Sequence, residues 1–198
     1  RVIRLLAAAM QEIQIGDPLL LASDVGPLID QDAARSLQPH VARLQREARL
    51  LQRVDPPQNL QAGCFFPLQA FELESLALLE KEVFGPVLHV VRYRADKLEQ
   101  VIDAVNNTGY GLTLGVHSRI EETWLRVQAR ARVGNLYINR NMIGAVVGAQ
   151  PFGGEGLSGT GPKAGGPYYL HRFATERTLS VNTAAVGGNT GLLSLPED

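Results

Sequence analysis

The sequence is poor in the residues on which several kinds of chemistry depend. One cysteine, Cys64, stands among 198 residues, so no internal disulfide can form and no thiol-based zinc set can be assembled. A reducing compartment fits that usage, and the cytoplasm is the expected location. Neither sign of charge is in excess: 19 Lys and Arg face 20 Asp and Glu, a net charge of -1, which leaves no basic field for nucleic acid. No apolar run approaches the roughly 20 residues that cross a bilayer, and the start Arg1-Val2-Ile3-Arg4 lacks the form of a signal peptide. The four histidines, His40, His89, His117 and His171, share no ligand spacing, so packing or surface roles are expected and a metal site is not. Small molecules and protein partners remain.

What is present is a 45% hydrophobic chain, long enough for one sizeable core or one lobe of a larger enzyme. Val2, Leu5, Leu6, Ala9 and Ile13 recur at helical spacing with no capping residue ahead of them, so the chain is expected to begin inside a helix, as a truncated chain would. That helix should end near Ile15, before Gly16-Asp17-Pro18. From Asp30, the positions Ala33, Leu37, Val41, Leu44, Ala48 and Leu51 predict a long amphipathic helix, with a kink or a fresh start at Pro39.

Beyond Pro56-Pro57 short apolar runs alternate with helical patterns. The spacing predicts strands over 63–70, 87–93, 112–117 and 133–138, with a helix on the face Leu98, Val101, Ile102, Val105 and another opened by Ser118 and Glu121 at capping-box spacing. The expected class is α/β, a mostly parallel sheet with helices on both faces. The stretch 144–167 is crowded with glycine and proline and reads as a long loop, of the kind that binds something. A β-prone run, Arg177 to Val181, and a small-residue tail follow.

Two motifs mislead. Gly154-Glu155-Gly156-Leu157-Ser158-Gly159 satisfies the dinucleotide fingerprint in letters, but Pro162, Gly165, Gly166 and Pro167 follow at once, and the fingerprint needs a helix there. A phosphate loop fails too, because Pro162 occupies the place of its lysine. Cys64 sits in the apolar run Gly63-Cys64-Phe65-Phe66 with no basic neighbour, which reads as a structural thiol and not a nucleophile.

Three segments carry the information: Glu82-Val83-Phe84-Gly85-Pro86-Val87, Asn106-Asn107-Thr108-Gly109-Tyr110-Gly111-Leu112, and Gln150-Pro151-Phe152-Gly153-Gly154 with Ser158-Gly159-Thr160-Gly161. Singly, each is explained as a strand-edge turn, a helix end or a flexible connector. In this order they resemble the aldehyde dehydrogenase superfamily, as do Gly16-Asp17-Pro18 and Asp24-Val25-Gly26-Pro27-Leu28-Ile29. Within it, Gly134-Asn135-Leu136-Tyr137-Ile138-Asn139-Arg140, Ile143-Gly144-Ala145 and Lys163-Ala164-Gly165-Gly166-Pro167 look most like pyrroline-5-carboxylate dehydrogenases, and the tail from Val181 to Asn189 is similar to that of the bifunctional bacterial proline utilisation A proteins.

The resemblance implies a fold of the aldehyde dehydrogenase catalytic-domain type: an aldehyde-binding lobe over 1–172, an oligomerisation strand over 173–183 and a tail over 184–198. It implies oxidation of glutamate semialdehyde to glutamate with NAD, FAD belonging only to an upstream proline dehydrogenase domain. In that family a cysteine thiolate attacks the aldehyde, hydride passes to NAD and a glutamate activates the hydrolytic water. Carried over, Glu82 accepts hydrogen bonds from the nicotinamide ribose and Phe84 packs near the nicotinamide. Gly144 and Ala145 offer backbone N–H groups to the substrate carboxylate, and Phe152 walls its aliphatic part. Plain core packing is the alternative for Phe84 and Phe152. The family's nucleophile, general base and oxyanion-hole asparagine fall upstream of Arg1, so no catalytic residue is expected here. The implied partners are the missing N-terminal half and further copies in a homo-oligomer. An assembly module, or an aldehyde dehydrogenase for another acid substrate, are the rival readings.

Overall fold

The strand Leu68–Leu73 organises the first half of the chain, because it is buried on both faces. The computed structural model describes residues 1–60, 63–143, 146, 149–182, 185 and 191. These fall into two units, one of residues 1–110 and 119–131, the other of residues 111–118 and 132–198.

In the first unit α1 (Val2–Gln11) and α2 (Gln31–Glu47) precede a three-stranded sheet of β1 (Arg49–Val54), β2 (Leu68–Leu73) and β3 (Val87–Val91), in the order β1-β2-β3. The Asp30 carboxylate accepts the Ala33 N–H at 2.8 Å and so caps α2, whose buried stripe is Ala34, Leu37, Val41 and Leu44. Phe71 and Leu73 of β2 pack with Val41, Leu44 and Val87, while Leu68 and Ala70, pointing the other way, pack with Met10 and Ile15. Burying Phe71 or Leu44 contributes about 1.5–3 kcal/mol each. β2 runs parallel to β3 but antiparallel to β1, with a register shift between Leu50 and Gln52. Glu72, 11% exposed at its side chain, takes Arg49 at 3.5 Å from β1 and is also bonded by Arg92, which follows β3. Two further helices, α3 (Leu98–Asn107) and α4 (Glu121–Arg130), are joined by Arg126 to Glu99 at 3.0 Å and Arg130 to Asp103 at 2.8 Å.

Local expectations change here. The second helix stops at Glu47, and its last two predicted apolar positions, Ala48 and Leu51, go to the turn and to β1, a strand that was not foreseen. Pro39 opens no new helix: α2 runs through it as one element, with the proline exposed and the buried stripe offsetting the roughly 3 kcal/mol an interior proline costs. Ser118 does not cap α4, which starts at Glu121 with Ile120 before it; the Ser118 backbone is engaged elsewhere.

The chain passes into the second unit at β4 (Tyr110–Gly111). There β5 (Thr113–Val116) and β6 (Asn135–Ile138) pair in parallel, Thr113 opposite Asn135, and a two-residue strand β7 (Glu155–Gly156) is the one regular strand among the described residues of 149–182. Asn139, just after β6, has φ 53 and stays there because its side chain bonds the N–H and the C=O of Ser118, each at 2.9 Å. Residues 174–182, including the β-prone run 177–181, form no strand: propensity alone does not make a strand without a pairing partner.

Candidate functional site

In the first unit, the turn that carries Glu82 and Phe84 is fixed by the residues after them. Val87 N–H bonds Gly85 C=O at 2.8 Å, and Gln69 N–H of β2 bonds Pro86 C=O at 3.0 Å. A Cβ on Gly85 would stand 2.3 Å from Leu37 Cδ1, so the glycine lets the turn lie directly on α2. The result is an anchored stem with an outward tip: Glu82 is exposed, and Phe84 is 84% exposed. Core packing within this unit is thereby excluded for Phe84. An exposed carboxylate offering free acceptor oxygens has the chemistry to bind a vicinal diol such as a ribose.

The second motif is structural. Asn106 Nδ2 donates to Arg130 C=O at 2.9 Å, fastening the end of α3 to the end of α4, and Thr108 Oγ1 donates to Val105 C=O at 2.7 Å.

In the second unit the glycine-rich loop is tied down around Phe152, which is half-buried. Phe152 N–H donates to Ala164 C=O, and Ala164 N–H donates to Phe152 C=O, both at 3.0 Å. Asn135 of β6, 9% exposed, donates from Nδ2 to Pro151 C=O at 3.1 Å and accepts Gly153 N–H at Oδ1 at 3.2 Å. Lys163 Nζ bonds Gly134 C=O. Further along, Gly111 N–H donates to Ser158 Oγ at 3.1 Å and Arg172 reaches Thr160 Oγ1 at 2.6 Å. No helix follows Gly154 to Gly159, in keeping with rejection of a dinucleotide fingerprint there. Gly144 and Ala145 lie outside the described residues. Cys64 is half-buried, and its C=O accepts Leu28 N–H at 2.9 Å.

Sequence reasoning quoted Asn135 and Lys163 in its motifs but gave no role to either, though they hold this loop. The available signal was an asparagine at an inward position of a strand pattern, which demands a partner once buried. It also missed a histidine pair in the first unit: His40 Nε2 of α2 stands 2.9 Å from His89 Nε2 of β3, the rings nearly perpendicular with centres 5.1 Å apart. Burial, with His40 and Arg43 nearby, pushes the His89 pKa down to about 4; burial, Arg43 and Lys81 lower that of His40. Among the described residues no group of three or more His, Cys, Asp or Glu could hold a metal, and no helix is long and apolar enough to cross a membrane. Two open clefts beside the sheet of the first unit, of about 640 and 220 Å³, include none of the candidate residues.

Comparison with known proteins gives these features a context. The chain is 52% identical over 180 residues to the bifunctional protein PutA of Salmonella typhimurium, covering 88% of this chain and 14% of that protein. It is 36% identical over 172 residues to the 1-pyrroline-5-carboxylate dehydrogenase of a Geobacillus species, covering 86% of this chain and 33% of that enzyme. Among solved structures, a Bradyrhizobium japonicum Proline Utilization A (PutA) variant superposes with a TM-score of 0.85 at 57% identity, over 93% of this chain and 19% of the other. The chain thus spans about a seventh of the bifunctional relatives and a third of the single-function one. Residues 1–179 match the aldehyde dehydrogenase family along their whole length, and the chain belongs to that family.

Proposed function

We propose that this chain is the C-terminal, aldehyde-binding part of an NAD-dependent L-glutamate-γ-semialdehyde (pyrroline-5-carboxylate) dehydrogenase, drawn from a bifunctional enzyme of proline catabolism. The observation that carries the reading is the 52% identity to a bifunctional PutA over 180 residues. The three ordered motifs around Glu82, Asn106 and Phe152 support it. The parallel pairings β2–β3 and β5–β6 fit a catalytic-domain sheet of which the chain supplies a part.

On this reading Glu82 accepts hydrogen bonds from the nicotinamide ribose, and Phe84, whose ring is free of its own unit's core, limits the movement of the nicotinamide. NAD supplies the hydride acceptor when bound. Phe152 walls the aliphatic part of the semialdehyde, and Gly144 and Ala145 offer N–H groups to its carboxylate. The thiolate, the general base and the oxyanion-hole donor belong to sequence upstream of Arg1, and Cys64 does not replace the nucleophile. Phe173, Leu179 and Val181, between 66% and 80% exposed, support an oligomerisation role for 173–183 in a homo-oligomer. The test is NAD reduction with glutamate semialdehyde by this chain and by a version extended upstream through the missing cysteine. The extended form should turn over and the short form should not; turnover by the short form overturns the assignment.

A further inference from the structure

Consider the backbone of Pro151-Phe152-Gly153 as a set of polar groups needing partners. Proline has no N–H, so the segment carries five, of which the four flanking Phe152 matter here: the C=O of Pro151, the N–H and C=O of Phe152, and the N–H of Gly153. Ala164 takes the two of Phe152 by backbone, at 3.0 Å each, as in an antiparallel strand pair. The other two point to the opposite edge, where no strand pairs with them among the described residues, and both are taken by the side chain of Asn135, at 3.1 and 3.2 Å. The orientation of that amide follows from its partners: flipping it would set oxygen against the Pro151 oxygen and NH₂ against the Gly153 N–H.

From this geometry we infer that Asn135 is a positioning residue: its side-chain amide makes the two bonds that the peptide of a paired strand would make and fixes the place of Phe152 for contact with the aldehyde. The Cα of Phe152 is thereby held from both edges, one by main chain and one by a single side chain. Asn135 is itself set by its own N–H bonded to Leu112 C=O at 3.0 Å, by its place in β6 and by near-complete burial, so the brace refers the loop to the β5–β6 pair. Alanine has no group to replace it. Aspartate keeps the acceptor for Gly153 and loses the donor for Pro151. The inference rests on the proposed contact between Phe152 and substrate, and the experiment separates the two.

The experiment uses the full-length enzyme with Asn135→Ala, Asn135→Asp and Phe152→Ala. It measures kcat and KM for glutamate semialdehyde, KM for NAD, and hydrogen exchange of the Gly153 amide. Asn135→Ala should speed exchange at Gly153 and raise the aldehyde KM by about 10-fold, with kcat and the NAD KM changed far less, because a misplaced wall loses substrate contact generally. Asn135→Asp should keep Gly153 protected and raise the aldehyde KM by a smaller factor; if the alanine variant does not fold, this variant carries the test. A raised aldehyde KM in Phe152→Ala, with the wild-type value in both Asn135 variants, overturns the positioning role and leaves the role of Phe152 standing. Wild-type aldehyde KM in all three overturns both, and places the fault with the Phe152 contact.

Discussion

Replacing Gly134 with alanine tests how rigidly the glycine-rich loop is seated. An ideal Cβ at this position would stand 1.7 Å from Gly153 C=O oxygen, 2.7 Å from its carbon and 2.9 Å from Gly154 Cα, all backbone atoms that cannot swing aside. To restore the 3.0 Å that real Cβ atoms keep, the strand and the loop must separate by at least about 1.3 Å. That separation stretches the Gly153 to Asn135 bond beyond its present 3.2 Å and disturbs the Lys163 to Gly134 bond. Two net hydrogen bonds at about 1 kcal/mol each, added to an overpacking cost of about 1–3 kcal/mol, give a loss of about 3–5 kcal/mol. If Phe152 touches the aldehyde, a shift of about 1 Å can also lower kcat/KM by as much as 10²-fold. Thermal denaturation and steady-state kinetics of Gly134→Ala in the full-length enzyme read both effects. A variant with wild-type melting temperature and wild-type aldehyde KM would refute the close-approach argument.

The histidine pair makes stability depend on pH. With its folded pKa lowered to about 4 from an ordinary 6.5, His89 is held neutral by the fold. Its contribution is fully present above 6.5 and is lost as pH falls through the folded value, as the unfolded chain takes up the proton first. For a half-exposed ring the effect is on the order of 1–2 kcal/mol after solvent screening is allowed for. Urea midpoints should drop over that window, and His89→Gln should flatten the drop; an unchanged slope would count against the pair. On the proposed function, Glu82→Gln in the full-length enzyme should raise KM for NAD roughly 10-fold, in line with about 1.5–3 kcal/mol for hydrogen bonds to a charged group. The aldehyde KM should hold; equal changes in both would argue that Glu82 acts elsewhere.

The elements most legible in the sequence were those whose apolar period meets a single core. The stripe Leu37, Val41 and Leu44 announced α2, and Val87 to Val91 announced β3, because burial enforces the pattern. β1 was hidden because Ala48 and Leu51 continue the helical step by chance, and the antiparallel return to β2 is a tertiary choice that the local period does not carry. Ser118 and Glu121 had capping-box spacing, but Asn139 takes the Ser118 backbone from 21 residues away. For the candidate site, the motif letters named Glu82, Phe84 and Phe152 as candidates. Their supports, Gly85 against Leu37 and Asn135 across Phe152, depend on distances that only the folded chain supplies.

The carboxylate of Glu72 has a consequence for how the first sheet assembles. It sits on the middle strand and answers a guanidinium from each side, Arg49 on one neighbour and Arg92 at the end of the other. Because side chains alternate between faces, a slip of either outer strand by one residue carries its arginine through to the far surface and leaves a mostly buried anion with one guanidinium instead of two. A single acid therefore checks the alignment of three segments at once, and a slip on either side costs it a partner.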